Sequence, residues 1–405
     1  MRLSIAFRIE TSRLRTSSML GESLTAWHLQ DEIACRRPGF GSAAGSPNVA
    51  LSRQGARGAR PRHRPMALQT IEVSRLRQWI SMLLSRAGVT EADAQLIAAV
   101  RSEAALRDPL GFDAFAARSL AHVVERLRRG GLNPRPNIRV LHEEASLAVL
   151  DGDGAIGQLV GVHAMEHCLR LVDRHGLALV GVRRSSSLGA LAYYAIMAVP
   201  RQYIGFAATN TELRIGMPPW GGVTPTLGNN PFAVAIPAGQ ERPIVVDMSL
   251  TATEPQGAGR GTMAHRQALL ASGSVVRPVM GGHKGYALAV VLEIVCGVLT
   301  GAGFGLAHAH ERIGTPATAP DLGHLLAAVD VKRLMPSPLF QARLSTLIQQ
   351  IQASERAQGV ERILLPGELE FDRRDARLHS GIPVEEEAIA TLHTMAESLG
   401  LQLEA

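Results

Sequence analysis

Lysine is almost missing from this chain: Lys284 and Lys332 are the only two, although arginine is plentiful. The preference for arginine reads as coding bias and carries no mechanism, but it makes Lys284 conspicuous. Cysteine is scarce too. Cys35, Cys168 and Cys296 are three, widely spaced and without a Cys-x-x-Cys pair, which excludes a disulfide framework and makes a reducing cytoplasm the expected compartment. Aromatic residues are only 4%, too few for a stacking surface for single-stranded nucleic acid. No apolar stretch runs uninterrupted for about 18 residues, and no signal-peptide pattern opens the chain, so neither a membrane span nor secretion is expected.

The formal charge of +6 is unevenly placed. Residues 1–65 hold eleven Arg against Glu10, Glu22, Asp31 and Glu32, a net +7, leaving about −1 for residues 66–405. A nucleic-acid footprint needs a basic face on the folded body, and that body is nearly neutral. Residues 1–65 lack periodic apolar patterning and read as a disordered basic extension. Ordered structure is expected from Met66, with a transit peptide as the other reading of the extension.

Apolar spacing of three and four predicts a helix from Glu72 that Gly88 ends, and helices over Glu91–Leu106 and Ala114–Arg129 follow. Short strands are expected at Ile138–Leu141 and Ser146–Leu150, then a long helix over Leu159–His175. Strands Leu177–Val182, Ile204–Thr209, Phe232–Ile236 and Ile244–Asp247 follow, then an apolar helix over Tyr286–Leu299. The last third reads as strand Leu325–Val329, helix Leu339–Ser354, strand Arg362–Leu365 and helix Val384–Leu399. The class is α/β, with helical ends around a sheet-rich middle.

Several motifs could carry chemistry. Gly152-Asp-Gly154-Ala-Ile-Gly157 fits the dinucleotide fingerprint between a strand and a helix, with Arg183 and Arg184 placed to meet a 2′-phosphate. Asp151 and Asp153 flank it, however, and would repel a pyrophosphate. His163-Ala-Met-Glu166-His167 fits an inverted zinc-peptidase pattern, both histidines sharing a helix face, but no third ligand is evident. Gly281-Gly-His-Lys284-Gly285 opens a helix, where free N–H groups and the lysine charge suit an anion. A tight turn and cap is the alternative there. Ser185-Ser-Ser-Leu-Gly189 offers hydroxyls and free amides to a polar ligand or, equally, a helix cap, and Leu365-Pro-Gly-Glu368 alone reads as a turn.

Taken in order, Gly131–Pro134, Asp151–Gly157, Gly189–Tyr194, Trp220–Gly222, Leu227–Pro231, Asp247–Ser249, Gly281–Tyr286, Leu299–Gly301 and Leu365–Glu368 resemble the malate/L-lactate dehydrogenase-type family of NAD(P)-dependent oxidoreductases. That family includes malate, sulfolactate and ureidoglycolate dehydrogenases and Δ1-piperideine-2-carboxylate reductase. The resemblance implies a non-Rossmann α/β fold with a mixed, largely antiparallel sheet and a homodimer. It divides the chain into the extension 1–65, an N-terminal helical part 66–140, a central cofactor-binding sheet domain 141–285 and a C-terminal α/β part 286–405 packed on the N-terminal helices. NAD or NADP would meet Ser187, Leu188, Gly189, Ala190 and Leu191, Met248 and Ser249, Lys284 and Gly285, and Pro366, Gly367 and Glu368. Asn229 would lie near a small 2-oxo or 2-hydroxy acid or a cyclic imine, and the glycine fingerprint becomes a structural turn.

The departures lie at the chemistry. The family opens its third helix with Asp-Ser-His-Gly and an Arg four residues after the His. The His donates a proton to the group being reduced, and the Arg grips the substrate carboxylate. Here Asp113 is followed by Ala114, Phe115 and Ala116, and Ser119 stands at the Arg position. Arg118 and His122 are the nearest substitutes, His122 lying two turns, about 10 Å, beyond Phe115. The segment between Met248 and Gly281 is also shorter than usual, with Glu254 the nearest acid to a missing relay residue. The expected protein is therefore an oxidoreductase by descent, with impaired chemistry. The alternatives are a degenerate nucleotide-binding homologue and a zinc hydrolase acting through His163, Glu166 and His167.

Overall fold

Helices form where apolar periodicity and capping agree. The computed structural model describes residues 68–404 except 213–214, 223–224, 253–274, 277–278 and 307–314, so the extension 1–65 and Glu254 lie outside the described residues. Strand β1, Leu68–Ile71, leads into α1, Val73–Arg86, which buries Leu76, Trp79, Ile80, Leu83 and Leu84. Thr90 caps α2, Glu91–Arg107, accepting from the Asp93 N–H at 3.2 Å, with Glu91 and Asp93 at the positive end of the helix dipole. Asp113 caps α3, Ala114–Arg128, accepting from the Ala116 N–H at 2.9 Å.

The middle of the chain supplies β2 (Arg139–Glu144), β3 (Leu147–Ala155), α4 (Gly157–His175), β4 (Leu177–Ser185), α5 (Ala192–Ile196), β5 (Tyr203–Thr209), β6 (Ile215–Gly216), β7 (Phe232–Ile236), β8 (Ile244–Met248) and β9 (Val275–Val276). Helix α6, His283–Glu293, runs into a π turn at Ile294–Val298. Then come β10 (Leu322–Asp330), α7 (Ser337–Gln352), α8 (Glu368–Ser380), β11 (Ile382–Glu385) and α9 (Glu386–Ser398).

The main sheet has seven strands in the order β2-β3-β4-β10-β5-β7-β8. Only β3 and β4 are parallel, joined across α4; the other neighbours are antiparallel. A Rossmann sheet repeats the parallel strand–helix–strand unit, and here there is a single one. The sheet is mixed and largely antiparallel, as the resemblance implied.

Among the described residues, the N-terminal and C-terminal parts pack together. Strand β1 pairs antiparallel with β11, and the Phe112 N–H donates to the Pro383 carbonyl at 3.0 Å. One apolar core joins Leu76, Leu83, Phe112 and Leu120 to Ile382, Leu392 and Met395. A second fills the space between α4, α5 and one sheet face around Met165, Cys168, Tyr194 and Leu326. A third, with Ala208, Leu250, Leu292 and Leu325, lies under α6. Burying each such leucine stabilises by about 1.5–3 kcal/mol.

Three expectations change. Arg362–Leu365 is not a strand, because the Leu365 N–H donates to the Glu368 carboxylate at 3.0 Å and the chain turns there. Helix α8 was invisible to periodicity because none of its residues is buried. It docks through charge: Arg374 pairs with Glu103, and Arg377 donates to the Ala105 carbonyl at 2.9 Å. Strand β10 comes from the segment read as the C-terminal part, yet it sits mid-sheet with Leu325 and Leu326 buried. Antiparallel pairing needs no sequence adjacency, so a late apolar strand can fill that place.

A buried histidine on β10 makes stability depend on pH. His324 is fully buried, its Nδ1 2.7 Å from the Thr209 hydroxyl, and burial pulls its pKa down to about 3. Between that value and about 6.5 the unfolded chain binds a proton that the fold refuses, so stability falls as pH drops. We expect a slope of up to about 1.4 kcal/mol per pH unit from this group. Urea unfolding at pH 7 and 5.5 measures it, and His324→Gln should flatten the difference; an unchanged slope would exclude His324 as its source.

Candidate active site

Segments far apart in sequence meet along β8. After β4 the chain enters the loop Ser185–Leu191, seated on the start of α4. The Gly157 N–H donates to Ser186 Oγ at 2.8 Å, and Gln158 Nε2 to the Ser187 carbonyl at 3.3 Å. A Cβ at Gly157 would stand 2.2 Å from the Ser186 carbonyl oxygen, so only glycine permits this approach. The Tyr194 hydroxyl donates to the Leu188 carbonyl at 2.7 Å from below. Leu188 and Leu191 are buried, Ala190 is half-buried, and Ser187 and Gly189 face solvent.

Asp247 ties this loop to β8, its carboxylate accepting from the Ala192 N–H at 2.8 Å and from Leu191. Packed protein around the carboxyl raises it to about 6, outweighing those N–H bonds, although the residue is exposed to solvent. Met248 and Ser249 follow at once. The Leu250 N–H donates to the Asn229 carbonyl at 2.9 Å, and the Met280 N–H to the Leu250 carbonyl at 2.8 Å. Gly285 then packs on Met280, where a Cβ would lie 1.7 Å from the carbonyl oxygen. On the other side, the Val245 N–H donates to the Pro366 carbonyl at 3.0 Å, and Gly367 turns at φ +88° against Val245. The segments that carry the positions singled out for cofactor contact, with Asn229, thus gather around Val245–Leu250, the end of β8 and the two residues after it.

Charge is available there. Helix α6 starts at Gly282 without a side-chain cap, and Lys284 is exposed and without a partner among the described residues. Glu368, by contrast, is engaged, accepting from Arg362 Nη1 at 2.8 Å and from Leu365.

The glycine fingerprint is held by its own acids. Asp151 accepts from Arg184 Nη1 at 2.9 Å, and Asp153 from Asn133 Nδ2 at 2.9 Å and the Asn137 N–H at 3.0 Å. Arg184 is therefore spent on the turn, not presented to a phosphate. The histidine motif is dispersed as well. His163 is exposed, His167 Nε2 lies 2.7 Å from Glu143, and no three His, Cys, Asp or Glu residues gather as a metal site among the described residues.

Helix α3 carries no obvious acid. Ala114 is buried, its N–H donating to Glu385 at 3.0 Å, and Phe115 is 41% exposed. Ser119 and His122 are half-buried, and Arg118 is paired with Glu387 of α9. Further along, Arg126 pairs with Glu212 at 3.0 Å, next to Thr211, whose hydroxyl donates to Asn229 Oδ1 at 2.6 Å. Thr211 and Arg126 gave no sequence signal. Glu293 did, as the one acid in the apolar helix Tyr286–Leu299: it is buried and accepts from Asn230 Nδ2 at 2.8 Å, steadying the Asn229 turn.

Known proteins share this fold. The family model described as malate/L-lactate dehydrogenase matches residues 71–258 and 253–393. The chain is 28% identical over 351 residues to a malate dehydrogenase of Pyrococcus horikoshii, covering 81% of this chain and 95% of that protein. It is 30% identical over 340 residues to an L-sulfolactate dehydrogenase of Methanothermobacter thermautotrophicus, covering 80% of this chain and 96% of the relative. The solved malate dehydrogenase of Pyrococcus horikoshii superposes with a TM-score of 0.73 at 27% identity, over 83% of this chain and 97% of that one. With that match along nearly the whole folded part, the chain belongs to the malate/L-lactate dehydrogenase family of oxidoreductases.

Proposed function

We propose that this protein binds NAD or NADP along β8 and transfers hydride between it and a small 2-hydroxy or 2-oxo acid, or a cyclic imine, with the chemical step impaired. It works in the cytoplasm as a homodimer. What carries the proposal is the meeting of the segments Ser187–Leu191, Met248–Ser249, Lys284–Gly285 and Pro366–Glu368 around the end of β8, with a lysine that has no partner among the described residues at an uncapped helix start. A dinucleotide fits that donor set, since bare N–H groups and a cation suit its phosphates.

The nicotinamide, when bound, supplies or takes up the hydride. Lys284 would neutralise a phosphate, and the Asp247 carboxylate would hold the loop Ser187–Leu191 to β8. Asn229, braced by Thr211, would hydrogen-bond the substrate. The remaining task is to protonate the oxygen or nitrogen being reduced. Phe115 has no proton to give, and Ser119 cannot make a two-toothed pair with a carboxylate. These two residues also favour the second reading, a homologue that binds the cofactor with little turnover.

Lys284→Ala should weaken NADH and NADPH binding on the order of 10–100-fold by removing one charge-assisted contact. Fluorescence titration of both nucleotides measures this, and unchanged affinity would remove Lys284 from the site.

The dimer proposal is supported by an exposed apolar stripe on α6 and its π turn, formed by Leu288, Val291, Ile294, Val298 and Leu299. Exposed patches of this kind usually mark contacts. Sedimentation should show a dimer that Val291→Asp weakens; a monomeric parent protein would count against the homodimer.

A further inference from the structure

Arg101 is out of place by the ordinary rules of a buried helix face. It lies on the inward stripe of α2, in line with Ala94, Ile97 and Ala105, which are 0%, 0% and 3% exposed. Its Nε is sealed from solvent and meets no acceptor, and among the described residues neither an ion pair nor a hydrogen bond reaches the guanidinium. Its helix neighbour Arg107 shows the usual solution, pairing with Glu103 at 2.8 Å and lying over the Phe371 ring at 4.5 Å. A largely buried cation with no partner among the described residues is costly and rarely kept without use.

The position is informative. Arg101 is close enough to Tyr194 for their charges to interact, and burial pulls the guanidinium down to about 10. Tyr194 in turn supports the Leu188 carbonyl, and Asp247 also acts on it. Arg101 is therefore a neighbour of Tyr194, the residue that supports the loop Ser187–Leu191. The residue as a whole keeps partial exposure, and of its side-chain nitrogens only Nε is both buried and without a hydrogen bond.

We propose that Arg101 is an oxyanion receptor: its planar guanidinium takes a carboxylate or a phosphate of the ligand bound beside the loop Ser187–Leu191. It would supply the two-toothed cation that Ser119 cannot. The placing of that ligand rests on the cofactor site proposed above; the need of Arg101 for an anion does not.

The variants are Arg101→Met, which keeps the stem and removes the charge, and Arg101→Lys, which keeps the charge and loses the fork. An apolar residue in place of an unpaired buried cation should leave stability equal or higher. Thermal unfolding is followed in sodium phosphate, and binding of oxamate, ADP and NADH is titrated. The expected result is a phosphate-dependent rise in Tm for the parent protein that Arg101→Met abolishes. Oxamate or ADP binding should weaken on the order of 10–100-fold in Arg101→Met and by less in Arg101→Lys. A loss confined to oxamate assigns a substrate carboxylate, and a loss confined to ADP a cofactor phosphate. Arg101→Met protein that binds all the probes like the parent overturns the proposal. A large drop in its Tm without ligand makes the guanidinium structural and overturns it too. Absence of NADH binding by the parent protein would instead sink the cofactor reading; if phosphate and oxamate responses then persist and depend on Arg101, the receptor stands without it.

Discussion

The unmodified protein will reduce pyruvate, oxaloacetate and Δ1-piperideine-2-carboxylate very slowly, and the fourfold variant Ala114→Ser, Phe115→His, Ala116→Gly and Ser119→Arg will be faster on the order of 10²–10⁴-fold. That range is what a positioned general acid contributes, and the returned arginine adds orientation of the substrate carboxylate. The fold should tolerate the changes. Phe115 is 41% exposed, and the start of α3 is held by Asp113 and Glu385, which the substitutions leave in place. Ala116→Gly costs about 1 kcal/mol in helix propensity, a small part of the stability of a domain this size. NADPH and NADH oxidation by both proteins against a panel of 2-oxo acids and cyclic imines is the measurement. Efficient turnover by the unmodified protein, unaffected by His122→Ala and Arg118→Ala, would show that the proton comes from elsewhere. The pairing of Arg118 with Glu387 already commits that side chain to α9.

Gly157→Ala will damage the protein far more than Gly154→Ala, although both lie in the same glycine fingerprint. At Gly157 a methyl group would stand 2.2 Å from the Ser186 carbonyl oxygen and 2.4 Å from that of Ser187. The backbone of the loop Ser185–Leu191 must move to admit it, at a cost of about 1–3 kcal/mol or more. The loop carries the proposed cofactor contacts, so nucleotide affinity should fall with Tm. At Gly154 the space is open, and only the φ of +68° resists a side chain, which costs about 1–2 kcal/mol. Nucleotide binding should survive there. Tm and NADPH titration on both variants test the pair. The reverse ranking would return the fingerprint to a phosphate-binding role and undo the placement of the cofactor along β8.

Helices α1, α2 and α3 were legible because each buries an apolar stripe or opens on a capping residue, Thr90 and Asp113 being the clearest. The apolar strands β4, β5, β7 and β8 were legible for the same reason: alternating or continuous burial leaves its pattern in the residues. Helix α8 was not, since it is held by Arg374, Arg377 and Arg362 rather than by apolar burial. Ion pairs between distant elements leave no period in the chain.

The candidate site divides along the same line. The residues by themselves determined which segments matter, because the glycines at 189, 285 and 367, the lone Lys284 and the missing donor at Phe115 are local facts of covalent structure. They also determined that the body carries almost no net charge. Only the tertiary structure decided that those segments gather around the end of β8, that Asp151 and Arg184 close the glycine turn on themselves, and that Arg101, near Tyr194, has no partner among the described residues. Hydrogen bonds such as Val245 to Pro366 join residues more than a hundred positions apart. A local pattern records what each segment can do with its own neighbours. Which distant partner satisfies a given N–H, carboxylate or guanidinium is settled when the chain packs, because each buried polar group needs a partner and packing decides which one is within reach.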